Sequence, residues 1–186
     1  MVADKKGSFL VRDMVYIAVG AVFIAVCSWI AFPGPIPFTL QTFGVFFVLG
    51  LLGGRRGFLA VTVYCLMGVL GAPVFSGFVG GAGVFLGPTG GYILGFGAAA
   101  LVFWLMGKFS ADRTWATALA MGVGLVVCYV FGTVWYAFVF AGAGAGGFAS
   151  ALTLCVVPYI IPDVLKTGAA VILSRGAKKR LGKLLK

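Results

Sequence analysis

The sequence contains no histidine among its 186 residues and only four acids, Asp4, Asp13, Asp112 and Asp163. The missing histidine removes the commonest metal ligand and the commonest general base together. The four cysteines, Cys27, Cys65, Cys128 and Cys155, form no CxxC or other metal-ligand spacing. Each falls inside an apolar segment and reads as a small buried hydrophobe. No metal and no cofactor are expected. The phosphate-loop pattern GxxxxGK[ST] is absent, so no nucleotide site is expected. Also missing is any polar segment long enough to form a soluble domain.

What remains is apolar. Hydrophobic residues make up 62% of the chain, charged residues 10%, and the mean hydropathy is +1.14. Soluble domains carry roughly a quarter charged residues, so the expected fold class is an all-α integral membrane protein, with residues 1–186 forming one membrane domain.

The net charge of +10 would point to nucleic acid in a soluble protein, but topology accounts for it here and no nucleic-acid partner is expected. Lys5, Lys6 and Arg12 precede the first apolar run. Arg55 and Arg56 fall between the second and third, and Lys108 and Arg113 between the fourth and fifth. Arg175, Lys178, Lys179, Arg180, Lys183 and Lys186 follow the last. The alternate connections, AFPGPIPFT, GAPVFSGFVGGAGVFLGPTGG and AGAGAGGFAS, carry no charge. Keeping positive residues inside gives a six-transmembrane-helix bundle with both termini cytoplasmic. The expected spans are 14–31, 38–53, 57–71, 88–107, 114–140 and 152–175, and the first is expected to stay as an anchor. The uncharged extracellular loops read as lids. Pro33, Pro35 and Pro37 exclude a helix from the first. Phe75, Phe78 and Phe85 in the third-span loop imply a segment folded back onto the protein. The basic residues 176–186 read as a cytoplasmic tail lying on anionic lipid, with a partner contact as the alternative.

Sorting the charges by side leaves two unexplained, Asp163 and Lys166 in PYIIPDVLK. Three residues apart on a helix, they share a face and can meet each other or address one ligand. Each costs roughly 2.5–3.5 kcal/mol at a membrane helix centre, so a charge kept there normally faces the bundle interior or a wet cavity. A structural pair is the plain alternative. Pro158 and Pro162 are expected to interrupt the helix just before them and free carbonyl groups.

Other candidates are weaker. GPTGGY at 87–92 places Gly90, Gly91 and Tyr92 at a helix start, where free N–H groups could face an anion or simply form a turn. Thr39 is either a cap or a cavity group, and Gln41 directs an amide toward a cavity. Trp135, Tyr136 and Tyr159 are interfacial belt residues or cavity walls. Ala18, Ala21, Val22 and Ala25 give the first helix a small-residue face, for packing between spans or for docking another membrane subunit.

Four segments together carry a resemblance: IPFTLQTF at 36–43, GGRRG at 53–57, GAPVFSGFVGGAGVFLGPTGGYILGF at 71–96 and PYIIPDVLK at 158–166. In order and spacing, across essentially the whole chain, they resemble the BioY family, the biotin-binding S components of energy-coupling factor transporters. One departure is Pro162, where the family's acid is often preceded by glycine. The resemblance implies a six-helix bundle in a prokaryotic plasma membrane. It also implies biotin captured from outside, association with a transmembrane T subunit and two ATP-binding-cassette ATPases, docking through the AxxxA face, and no enzymatic activity in this chain. The expected biotin contacts are Asp163, Lys166, Gln41, Thr39, Gly90, Gly91, Tyr92, Trp135 and Tyr159. Competing readings are a carrier of another small vitamin, a stand-alone biotin carrier, or a lipid-acting enzyme with Asp163 as base. The last is weakened by the lack of a second in-membrane acid.

Overall fold

The computed structural model describes residues 5–32, 34, 37–110, 113–140 and 147–185. Asp4, Pro33, Pro35, Ile36, Asp112, residues 141–146 of the last uncharged loop and Lys186 lie outside them. Helix α1 (Lys5–Trp29) is followed by two short strands, β1 (Ala31–Phe32) and β2 (Phe38–Thr39). Next come α2 (Gln41–Leu52), α3 (Gly54–Val69), the single turn α4 (Gly83–Leu86), α5 (Gly90–Ser110) and α6 (Thr114–Trp135). A π-helical stretch, Tyr136–Phe140, prolongs α6. Helix α7 (Gly147–Cys155) then passes through a 3₁₀ turn at Val157–Tyr159 into α8 (Ile160–Leu185).

Among the described residues, four helical stretches are long and apolar enough to cross a membrane: Val11–Trp29, Gly90–Gly107, Thr114–Val139 and Ala151–Leu181. Helix α2 is apolar but shorter, and α3 has 16 residues. At 1.5 Å per residue α2 and α3 reach only about 18 and 24 Å. The chain is a membrane protein with a mostly helical fold.

Several boundaries differ from the sequence reading. The second polar connection shrinks to one residue, Gly53, whose φ of +82° breaks α2 from α3. Arg55 and Arg56 therefore belong to the first turn of α3, where a cation opposes the helix dipole. Asp13 on α1 offsets this, its carboxylate lying 2.8 Å from the Arg56 guanidinium. The expected last span is two helices. Pro158 lies inside the 3₁₀ turn that separates α7 from α8. Pro162 interrupts nothing, because it sits in the first turn of α8, where helix N–H groups have no intrahelical partner anyway. Residues 176–185, read as the start of the basic tail, continue α8.

Helix α2 is the centre of the bundle. Eight of its twelve residues are buried, among them Val45, Phe46, Val48 and Leu49, as expected of a helix apolar on all sides. It packs against α1, α3 and most extensively α8, while α5 and α6 form the largest helix pair. The core joins Ile24, Val45, Phe46, Leu49, Ala60, Val61, Tyr64, Ala99 and Met121. Ala21 and Ala25 also belong to this core, so the AxxxA face turns inward against α2 and α3. Of the three alanines expected to dock a partner, only Ala18 is exposed.

At the other end, β1 and β2 pair antiparallel, with Ala31 opposite Thr39 and Phe32 opposite Phe38. The strands that flank the proline-rich connection thus pair as a hairpin. The loop after α3 folds back as expected for Phe75, which is buried, and Phe85, which packs on the core. Phe78 differs. It is 62% exposed, holds a φ of +57° and is fixed by stacking on Trp29 at 5.1 Å.

The α5–α6 contact depends on missing side chains. A Cβ on Gly132 would collide with the Tyr92 ring, and one on Gly91 with Trp135 and the Phe131 carbonyl. Gly132→Ala should destabilise the protein by about 1–3 kcal/mol through overpacking. Gly97→Ala, where a Cβ meets nothing within 4 Å, should be neutral or stabilising by up to about 1 kcal/mol. Thermal unfolding of the two purified variants beside wild type decides this.

Candidate functional site

A cavity of about 770 Å³, counted with its open mouth, lies between the start of α2, the loop before α5, the middle of α6 and the start of α8. Apolar and aromatic walls come from Phe75, Tyr92, Ile93, Phe96, Leu125 and Tyr129. Thr39, Gln41, Asp163 and Lys166 supply polarity.

Asp163 and Lys166 are buried, at 6% and 9% exposure. They form an ion pair, Lys166 Nζ to Asp163 Oδ1, at 2.9 Å. Asp163 occupies the first turn of α8, where free N–H groups and the positive end of the dipole favour an anion. Its second oxygen accepts the Tyr129 hydroxyl at 2.8 Å. Lys166 also donates to the Thr39 carbonyl at 2.7 Å and stands 3.7 Å from the centre of the Phe38 ring. The pair therefore ties α8 to α6 on one side and to the β-hairpin on the other. Phe38 in turn stacks on Tyr159 at 6.5 Å.

Six of the nine residues expected to contact ligand line this cavity: Thr39, Gln41, Tyr92, Tyr159, Asp163 and Lys166. The N-cap position of α2 is Leu40 and not Thr39, although the Thr39 hydroxyl accepts the Gln41 backbone N–H at 3.2 Å and its carbonyl holds Lys166. Tyr92 contributes its ring; its hydroxyl donates to the Cys155 carbonyl at 3.0 Å. Gly90, Gly91 and Trp135 are outside the lining. A Cβ on Gly90 would strike the Phe85 carbonyl, and Gly91 is covered by Trp135. These three serve the turn and the α5–α6 contact.

Two tyrosines escaped the sequence reading. Tyr129 holds Asp163, and Tyr64 accepts the Gln41 amide Nε2 at 2.8 Å. A signal for both was present, because each stands amid an apolar span, VVCYVFG and VTVYCLM. A hydroxyl placed there needs an internal partner.

A sequence profile of the BioY family matches residues 3–183. A biotin transporter BioY from Thermotoga maritima is 37% identical over 170 residues, covering 90% of this chain and 96% of its own. A probable biotin transporter BioY from Pyrococcus horikoshii is 42% identical over 142 residues, covering 76% and 80%. Among solved structures, the S-component for biotin from an ECF-type ABC transporter superposes with a TM-score of 0.82 over 95% of both chains at 24% identity. That similarity concerns the fold.

Because the ion pair is buried, removing one partner strands the other. Lys166→Met should destabilise the unliganded protein by about 3–5 kcal/mol. Adding Asp163→Asn to it should recover a large part of that loss, since no charge is then left in the cavity. Unfolding temperatures of both variants test this; a double variant less stable than Lys166→Met would refute it.

Proposed function

The chain belongs to the BioY family, and from that premise we propose that its cavity binds biotin for uptake across the plasma membrane of a prokaryote. In this proposal the chain acts as the substrate-binding S component, and a T subunit and two ATP-binding-cassette ATPases supply the energy. It is a transporter subunit and catalyses no reaction itself.

The observation that carries the reading is the juxtaposition in one cavity of a carboxylate acceptor, an ammonium donor and an aromatic wall. Biotin presents two ureido N–H donors, one strong carbonyl acceptor, an apolar fused ring and a carboxylate on a flexible chain. Asp163 accepts a ureido N–H. Lys166 has three N–H groups, two of them directed to Asp163 and to the Thr39 carbonyl. The third remains for a ligand oxygen, which can take it without parting the pair. Phe75, Phe96 and Tyr159 enclose the bicycle. The β-hairpin and the loop carrying Phe75 form the outer lids, and the basic ends of the helices face the cytoplasm.

Purified protein should bind radiolabelled biotin without partner subunits. Asp163→Asn should weaken that binding by about 2–5 kcal/mol, because a buried hydrogen-bonded charge pair is truncated. Wild-type affinity in this variant would exclude Asp163 from the site. Biotin uptake by cells with and without the T subunit and ATPases separates the coupled transporter from a stand-alone carrier.

A further inference from the structure

Gln41 is the first residue of α2, and its side chain lines the cavity. A primary amide has a donor end and an acceptor end of nearly equal shape. Which end faces a ligand depends on what holds the other. Here Nε2 of Gln41 donates to the Tyr64 hydroxyl at 2.8 Å, and that hydroxyl donates to the Val74 carbonyl at 3.3 Å. The direction of this relay follows from its far end. A backbone carbonyl only accepts, so Tyr64 gives its single hydrogen to Val74 and keeps only lone pairs for Gln41. A lone pair receives the amide N–H and repels the amide oxygen. Tyr64 is fully buried, and its ring packs edge-on against Phe75 at 5.6 Å, so it has no room to turn away. The Val74 carbonyl also accepts the Ser28 hydroxyl at 2.5 Å, which anchors it from α1.

We infer that Tyr64, which is outside the cavity lining, is a positioning residue for ligand selection. Through the relay from Val74 it turns the Oε1 atom of Gln41 into the cavity as an acceptor. This rests on the biotin reading above. The cavity then offers two acceptors, the Asp163 carboxylate and Gln41 Oε1, with the Lys166 ammonium as donor. A ureido group presents the complement, two N–H groups flanking a carbonyl. An amide turned the other way would present a second donor and favour a different ring chemistry.

The test compares wild type, Tyr64→Phe, Gln41→Leu and the double variant. Each is titrated with biotin and with the two biotin isomers methylated on one ureido nitrogen. Tyr64→Phe should weaken biotin binding about tenfold, the scale of one lost hydrogen bond. The double variant should bind no more weakly than Gln41→Leu alone. For one methylated isomer, wild type and Tyr64→Phe should bind equally, because the N–H that Gln41 would accept is gone. A purely structural Tyr64 gives losses that multiply in the double variant and leaves both isomers equally affected; either result overturns the inference. If Tyr64→Phe does not fold, Gln41→Leu alone decides, since it should lose wild-type discrimination against one isomer, and retained discrimination refutes the acceptor role. Wild type that fails to bind biotin overturns the functional reading and this inference with it. Wild-type binding with multiplicative losses overturns the inference alone.

Discussion

The architecture around the cavity depends on one ion pair, Asp163 with Lys166. Two isolated charges in the apolar interior of this bundle would cost several kcal/mol each. The fold meets that cost with four groups from three elements, α8, α6 and β2. The first turn of α8 supplies its dipole, α6 a tyrosine hydroxyl, the hairpin a carbonyl and β2 an aromatic face. Each of these elements is in turn placed by the pair. The hairpin has only two paired residues per strand, too few to be stable alone, and Lys166 reaches across to hold it at Thr39. The break between α7 and α8 has the same origin. A continuous helix through 152–175 would put Asp163 in mid-helix with every backbone N–H already used. The 3₁₀ turn at Pro158 starts a new helix three residues before the acid.

Helix α2 gives the site its second fixed wall. Most of its length is core, so its first turn cannot shift without disturbing Val45, Phe46 and Leu49. Gln41 and Thr42 are buried at the point where that core meets the cavity. The loop before α5 is anchored to the same region by several bonds. Trp29 donates to the Pro73 carbonyl at 2.8 Å, while Ser28 and Tyr64 converge on Val74. Rigid helices thus set the polar groups, and the loop that covers them is pinned at its start.

How far the sequence disclosed this depends on the kind of information each residue carries. Asp163 and Lys166 were legible because charge is scarce and its positions are discrete. Sorting by side isolated two residues that the structure brings to 2.9 Å. The extended strands on either side of the first loop were legible because proline acts locally. Helix faces were not. Where a helix is apolar all round, hydrophobic periodicity carries no direction, so Ala21 and Ala25 could not be assigned to the interior from spacing alone. Glycines were ambiguous for a related reason. GPTGGY fits an anion-binding start or a close helix contact equally well, and only Trp135 resting on Gly91 decides. Tyr64 and Tyr129 were hidden because a hydroxyl's partner is a tertiary fact; their mid-span positions say that a partner exists and nothing about which.

The closed network also bears on how a ligand can bind tightly in a cavity of this size. An empty site with a bare charge would either bind water strongly or protonate, and a ligand would then have to displace that arrangement. Here the carboxylate and the ammonium are already partnered, by each other and by Tyr129 and Thr39. Their desolvation has been met during folding. A ligand that adds hydrogen bonds to unused lone pairs and to a remaining N–H gains those bonds with little reorganisation, the condition under which buried area converts best into affinity. The arrangement also restricts what can bind, because a ligand group with the wrong donor pattern meets oriented partners that cannot turn to suit it. Affinity and selectivity therefore share one cause, a polar set fixed by packing before any ligand arrives.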